Sequence, residues 1–141
     1  MIDRNDTPAP DGRPLTVLVA DDSRVMRAMI IRTLRLSGLP LGVVHEAADG
    51  LAGLAILEAE PVALALIDIN MPRLSGLDML ARLRRPAAPA GPVVIIVSSD
   101  GSDASAAHVR QLGHGFLHKP FAPEALRDAV LRALGASNHD R

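Results

Sequence analysis

The chain has no cysteine, no tryptophan and no tyrosine. Without thiols, disulfide frameworks, thiolate zinc sites and cysteine nucleophiles are excluded, and a reducing compartment suits the composition. The aromatic complement is two phenylalanines, Phe116 and Phe121, too few for the stacking platforms of single-strand nucleic-acid binders. Neither sign of charge dominates. Fifteen Lys and Arg against sixteen Asp and Glu leave a formal charge of −1, which argues against polybasic contact with nucleic acid or an anionic membrane. No apolar run approaches the roughly 18 residues of a membrane span, and the polar start of the chain lacks the apolar stretch of a signal peptide. These absences point to a soluble, cytoplasmic protein. Lysine is almost missing too: of the fifteen basic residues, only Lys119 is a lysine. In a chain that otherwise uses arginine, that choice asks for a chemical reason.

What is present suffices for one domain. The chain has 141 residues, 48% of them hydrophobic and 22% charged, enough to bury a core. Residues 1–14 carry three prolines, three aspartates and a glycine without periodicity and read as a flexible leader. Residues 135–141 are polar and read as a frayed tail, leaving one folded domain over residues 15–134. Within it, five short apolar runs fall at residues 15–20, 42–46, 62–67, 93–97 and 115–118. Most are nearly unbroken Val, Ile and Leu, as in strands buried on both faces.

Helices are expected between the runs and after the last, over residues 23–37, 51–58, 75–85 and 102–112 and from Pro123 to Gly135. In the first of these, Val25, Met26, Met29, Ile30, Thr33 and Leu34 form the expected apolar side. Arg24, Arg27, Arg32 and Arg35 form a solvated face, and Gly38 stops the run. Strand and helix alternate five times with connections long enough for helical crossovers, the pattern of a parallel sheet covered on both faces.

The polar residues that follow the apolar runs then matter most. Asp21 and Asp22 follow the first run, Asp68 the third, Ser98 and Ser99 the fourth, and Lys119 the fifth. In a parallel sheet these ends share one edge, where open α/β sheets bind ligands. Clustered carboxylates repel one another unless a cation sits among them. Oxygen ligands without histidine or cysteine favour Mg²⁺ or Mn²⁺ over zinc, and Mg²⁺ commonly pairs carboxylates with a phosphoryl oxygen. Lys119 offers a point charge to another phosphoryl oxygen, Ser98 a hydroxyl donor, and Asp68 a nucleophile that could carry the group as an acyl phosphate. Taken singly, each of these residues also fits a turn or a helix cap; Asp49-Gly50 reads as a turn. The five histidines show no metal-ligand spacing.

With that constellation the chain resembles bacterial response-regulator receiver domains, of the free-standing, chemotaxis-regulator-like kind, from about Leu15 to Leu134. The resemblance implies a flavodoxin-like, doubly wound α/β fold: a five-stranded parallel sheet in the order 2-1-3-4-5 with five helices. It implies Asp68 as phosphoacceptor and Mg²⁺ held by Asp21, Asp22, Asp68 and the main-chain carbonyl of Asn70. Lys119, with a cis peptide to Pro120, stands where the family has its lysine, and Ser98 and Phe116 match the switching hydroxyl and aromatic. Asn70 and Ser99 occupy positions that tune dephosphorylation. Phe116 is not the common tyrosine, and Leu112 replaces the usual alanine before glycine in the segment of the fourth helix. The implied donor is a histidine kinase or a histidine phosphotransfer protein. The implied output is a protein target, with no nucleic acid or membrane contacted directly, docking on the face of the fourth helix, fifth strand and fifth helix. Such a protein is a switch that catalyses only its own phosphorylation and dephosphorylation. Two rivals remain. A phosphatase of the haloacid-dehalogenase type needs a second acid where Asn70 stands; an adaptor of the same fold would signal without phosphorylation.

Overall fold

The computed structural model describes residues 14–69, 71, 73–75, 78, 81–82, 92–98 and 115–139, the last four by their backbone. The leader up to residue 13, Asn70, Ser99 and the helix expected over residues 102–112 lie outside the described residues. So does the helix expected over residues 75–85, apart from Ser75, Asp78, Ala81 and Arg82.

Five strands form one sheet: β1 (Leu15–Ala20), β2 (Leu41–Ala47), β3 (Leu64–Asp68), β4 (Val93–Ser98) and β5 (Gly115–His118). Their order is β2-β1-β3-β4-β5 and every neighbouring pair is parallel. The described helices are α1 (Arg24–Leu36), α2 (Gly50–Ala59) and α3 (Pro123–His139). This is the flavodoxin-like arrangement expected from the sequence.

The two-residue period of the strands sorts their side chains into two cores. Val17, Val19, Leu66, Ile95 and Val97 meet Ile30 and Leu34 of α1 and Leu126, Val130 and Leu134 of α3. Leu18, Ala20, Ile67, Val94 and Ile96 face the other way, against Leu54 and Leu57 of α2. Because both faces are covered, the central strands carry apolar residues at consecutive positions rather than alternating ones. No described helix is long and apolar enough to cross a membrane.

Local chemistry sets the boundaries. Ser23 caps α1, its hydroxyl accepting from Met26 N at 3.1 Å. Gly38, with φ +84°, takes the left-handed conformation that ends the helix. The third strand begins two residues later than its apolar run, because Val62 N–H turns back to the Glu60 carbonyl. It also runs one residue further, through Asp68, which pairs with Val97.

Two expectations are corrected. Val25 and Met29, expected on the inner side of α1, are 70% and 55% exposed; the core takes only the narrower stripe of Ile30 and Leu34, with Met26 at its margin. Gly135 does not close the last helix, which continues to His139. Gly38 is the only described glycine with positive φ, so Gly135 lacks the conformation of a helix stop and Ala136 beyond it is a good helix former.

Candidate functional site

The sheet order reverses at β1, with β2 on one side and β3 on the other, and the crevice of such a sheet opens at the carboxyl ends of those strands. Ala20 pairs with Ile67, so the residues that follow them, Asp21 and Asp68, stand side by side at the rim. Asp21 is 1% exposed and fixed at each of its polar atoms. Its N–H donates to the Ala47 carbonyl at 3.0 Å, and its carbonyl accepts from Arg27 Nη1 at 2.8 Å. Its Oδ1 accepts from Ser23 N at 2.9 Å, and its Oδ2 from Lys119 Nζ at 3.0 Å. Asp22, one residue on, is exposed.

Lys119 arrives from the far side of the sheet. Its N–H donates to the Ser98 carbonyl at 2.7 Å, which ties the end of β5 to that of β4. From there its ammonium reaches Asp21 and lies 3.8 Å from Asp68 Oδ1. Ser98 is buried, opposite His118 in the register. Phe116, half-buried, packs on the core that contains Ile96 and Ile67. The peptide between Lys119 and Pro120 is cis. The sequence therefore placed Asp21, Asp22, Asp68, Ser98 and Lys119 at one rim, and the structure brings them there; Asn70 and Ser99 lie outside the described residues.

Oxygen atoms from Asp21, Asp22 and Asp68 lie within 4.8 Å of one another. Ligands of one Mg²⁺ at about 2.1 Å can be separated by up to about 4.2 Å, so the three carboxylates need only small rotations to share an ion. Charge agrees. Three carboxylates against one ammonium leave two negative charges, the amount one divalent cation neutralises. The donor set is all oxygen, which suits Mg²⁺ or Mn²⁺.

Two contributors were not legible in the sequence. Arg27, counted with the solvated arginines, is bonded to Asp21 and to Glu46 Oε1 at 2.9 Å. The signal was its spacing: it precedes Ile30 by three and Leu34 by seven, which puts it on the buried stripe. Asp49-Gly50, expected as a simple turn, starts α2; Asp49 Oδ1 accepts from Ala52 N at 2.8 Å. A Cβ at Gly50 would collide with the main chain of Leu74, in the segment that follows Asp68. Beside the rim, Met26, Met29 and Ile30 of α1 with Lys119, Pro120 and Phe121 line an apolar groove of about 310 Å³.

An acidic rim at the switch point of a doubly wound parallel sheet defines a flavodoxin-like α/β domain built around a polar crevice. The chain belongs to the response regulator receiver domain family of two-component signalling, which it matches over residues 17–131. Among its relatives is the probable transcriptional regulatory protein TcrX of Mycobacterium tuberculosis, 33% identical over 133 residues, 92% of this chain and 55% of TcrX. The chain spans about half the length of the curated relatives it matches. Among solved structures, the NarL signal receiver domain of M. tuberculosis matches with a TM-score of 0.75 and 34% identity, covering 86% of this chain and 98% of that one. The chemotaxis response regulator CheY4 of Vibrio cholerae matches with a TM-score of 0.71 and 28% identity, covering 85% and 98%.

Proposed function

We propose that this receiver domain accepts a phosphoryl group on Asp68 from a histidine kinase or histidine phosphotransfer protein and passes the signal on through a conformational switch. The observation that carries the reading is the meeting of Asp68 with two further aspartates and the chain's only lysine. A carboxylate oxygen of Asp68 bonds to phosphorus as the phosphorus–nitrogen bond of the donor breaks and the freed imidazole is protonated, leaving an acyl phosphate. Asp21, Asp22 and Asp68, with the main-chain carbonyl of Asn70, would hold Mg²⁺ or Mn²⁺. When bound there, the ion would supply positive charge against the phosphoryl oxygens. Lys119, already within 3.8 Å of Asp68, pairs with a second phosphoryl oxygen, and Ser98 donates its hydroxyl to a third. Phe116 then packs further inward and reshapes the output face of residues 102–112, β5 and α3. Asn70 and Ser99 set how fast water removes the group. The chain turns over only its own phosphorylation and dephosphorylation and works in the cytoplasm.

Output to a separate protein target, as in a free-standing chemotaxis-type regulator, is supported by the match to CheY4 over 98% of its length. The match to TcrX over 55% of its length favours a second reading, the receiver half of a transcriptional regulatory protein. The size of the native protein in its own cells separates the two: the length of this chain for the first, nearly double for the second.

The test of phosphoryl transfer is labelling by acetyl phosphate with Mg²⁺. The native chain takes up label in a hydroxylamine-sensitive form, while Asp68→Asn keeps its circular dichroism and takes up none. Label retained by Asp68→Asn defeats the assignment. Multiple turnovers of a phosphomonoester point instead to a phosphatase, and partner binding that ignores beryllofluoride points to a phosphorylation-independent adaptor.

A further inference from the structure

We infer that Arg27 is a positioning residue for the aspartate pair, aligned by Glu46 and acting through the main-chain carbonyl of Asp21. The inference rests on the metal-dependent reading above and goes beyond it to a residue outside the carboxylate set. Arg27 Nη1 donates to the Asp21 carbonyl at 2.8 Å, and Nε donates to Glu46 Oε1 at 2.9 Å. The guanidinium thus ties α1, the edge strand β2 and the end of β1 together. Its side chain is only 14% exposed, whereas that of Glu46 is 48% exposed, so the inference is carried by the partly buried bond to the Asp21 carbonyl rather than by the ion pair.

The Asp21 carbonyl belongs to the peptide group that joins Asp21 to Asp22. Fixing its direction fixes that peptide plane, and with it the direction in which Asp22 leaves the backbone. Asp21 has its carboxylate fixed independently, by Ser23 N and Lys119. Asp22 is exposed, and its aim depends on the plane behind it. Arg27 therefore sets whether the second carboxylate points at the same ion as the first. Arginine suits the task because its rigid fork presents Nε and Nη1 to two acceptors at once, whereas a lysine ammonium supplies charge without that fork.

Manganese titration of the full chain, followed by electron paramagnetic resonance with melting temperatures measured alongside, tests this. Partners that orient metal ligands typically change affinity by about 10–100-fold. Arg27→Gln and Arg27→Lys should each weaken Mn²⁺ binding about 10-fold or more. Glu46→Ala should weaken it less, and Glu46→Gln, which keeps an acceptor oxygen, should restore nearly native affinity. Adding Glu46→Ala to Arg27→Gln should cost nothing further, because the two act through one contact. Native affinity in Arg27→Lys would show a charge effect and overturn the positioning role. So would losses in Glu46→Ala that Glu46→Gln shares equally, or an additive double variant. Should Arg27→Gln fold poorly, the Glu46 pair decides, since that side chain is half-exposed. If the native chain itself binds no Mn²⁺, the metal-dependent reading fails and takes this inference with it. Native binding with unaffected Arg27 and Glu46 variants overturns the inference alone.

Discussion

At the scale of single residues, the rim is a balance of charge that the protein alone leaves incomplete. Lys119 holds Asp21 at 3.0 Å and approaches Asp68, so its loss leaves a buried carboxylate without its strongest partner. Lys119→Met should lower the stability of the metal-free protein by about 1–3 kcal/mol in urea unfolding, the cost of a buried acceptor left unsatisfied. Asp22 has the opposite sign. It is exposed and adds to the repulsion within the cluster, so metal-free Asp22→Asn should be at least as stable as the native chain. The native melting temperature should rise with Mg²⁺ over EDTA, as for any ligand that binds only the folded state, and Asp22→Asn should lose most of that rise. A full Mg²⁺ response in Asp22→Asn would remove it from the metal site. The rim residues were readable in the sequence because each ends an apolar run and stands alone in its chemistry, Lys119 most of all. Arg27 was not, because thirteen other arginines surround it in the composition and only helical spacing marks it as buried.

At the scale of elements, glycines separate what local patterns reveal from what packing decides. Gly38 was legible as a stop because it follows a complete amphipathic run, and its φ of +84° bears this out. Gly135 follows an equally complete run and yet is helical, since nothing about a glycine forces it into the left-handed region. A Cβ at Gly135 would meet nothing within 4 Å, so Gly135→Ala should stabilise the protein by about 0.5–1 kcal/mol. Destabilisation by that substitution would mean that the helix ends there after all. Gly50 should behave in the opposite way. Its Cβ would strike the Leu74 main chain, so Gly50→Ala should cost about 1–3 kcal/mol and disturb the segment following Asp68. Chemical denaturation of the two alanine variants side by side reads both signs at once. No periodicity in the sequence could have told these glycines apart, because the difference lies in a neighbour 24 residues away. The same holds for α1, where Val25 and Met29 fit an apolar stripe by spacing but are exposed, while Ile30 and Leu34 are buried in the core with Met26 and Ile31 at its margin.

At the scale of the molecule, the proposed switch would receive its charge at the centre of the sheet and respond towards one edge. Asp68 ends β3, whose hydrophobic residues are fully buried, and β1 beside it is equally enclosed. Ser98 ends β4, Phe116 lies in the edge strand β5 and Lys119 directly follows it; β5 is four residues long and half-exposed over much of its length. Short, partly exposed elements open at lower free energy than central ones, so this edge is where a modest stimulus can move structure. Shifting a two-state equilibrium from 1:99 to 99:1 takes about 5.5 kcal/mol of differential interaction. Under the proposed mechanism, two or three charge-assisted hydrogen bonds of about 1.5–3 kcal/mol each, from Lys119 and Ser98 to the phosphoryl oxygens, would supply that amount. Phe116 has no hydroxyl to bond, so its part in the proposed shift would be burial alone. Amide hydrogen exchange should therefore respond unevenly to beryllofluoride with Mg²⁺. Exchange should slow at Ser98 and along Gly115–His118, where the new contacts anchor the edge, and change little in β1 and β2. The Asp68→Asn chain should show no such difference. Protection spread evenly over the whole sheet would indicate general tightening by a bound ligand rather than a switch, and protection confined to β1 and β2 would place the response on the wrong side of the phosphoacceptor.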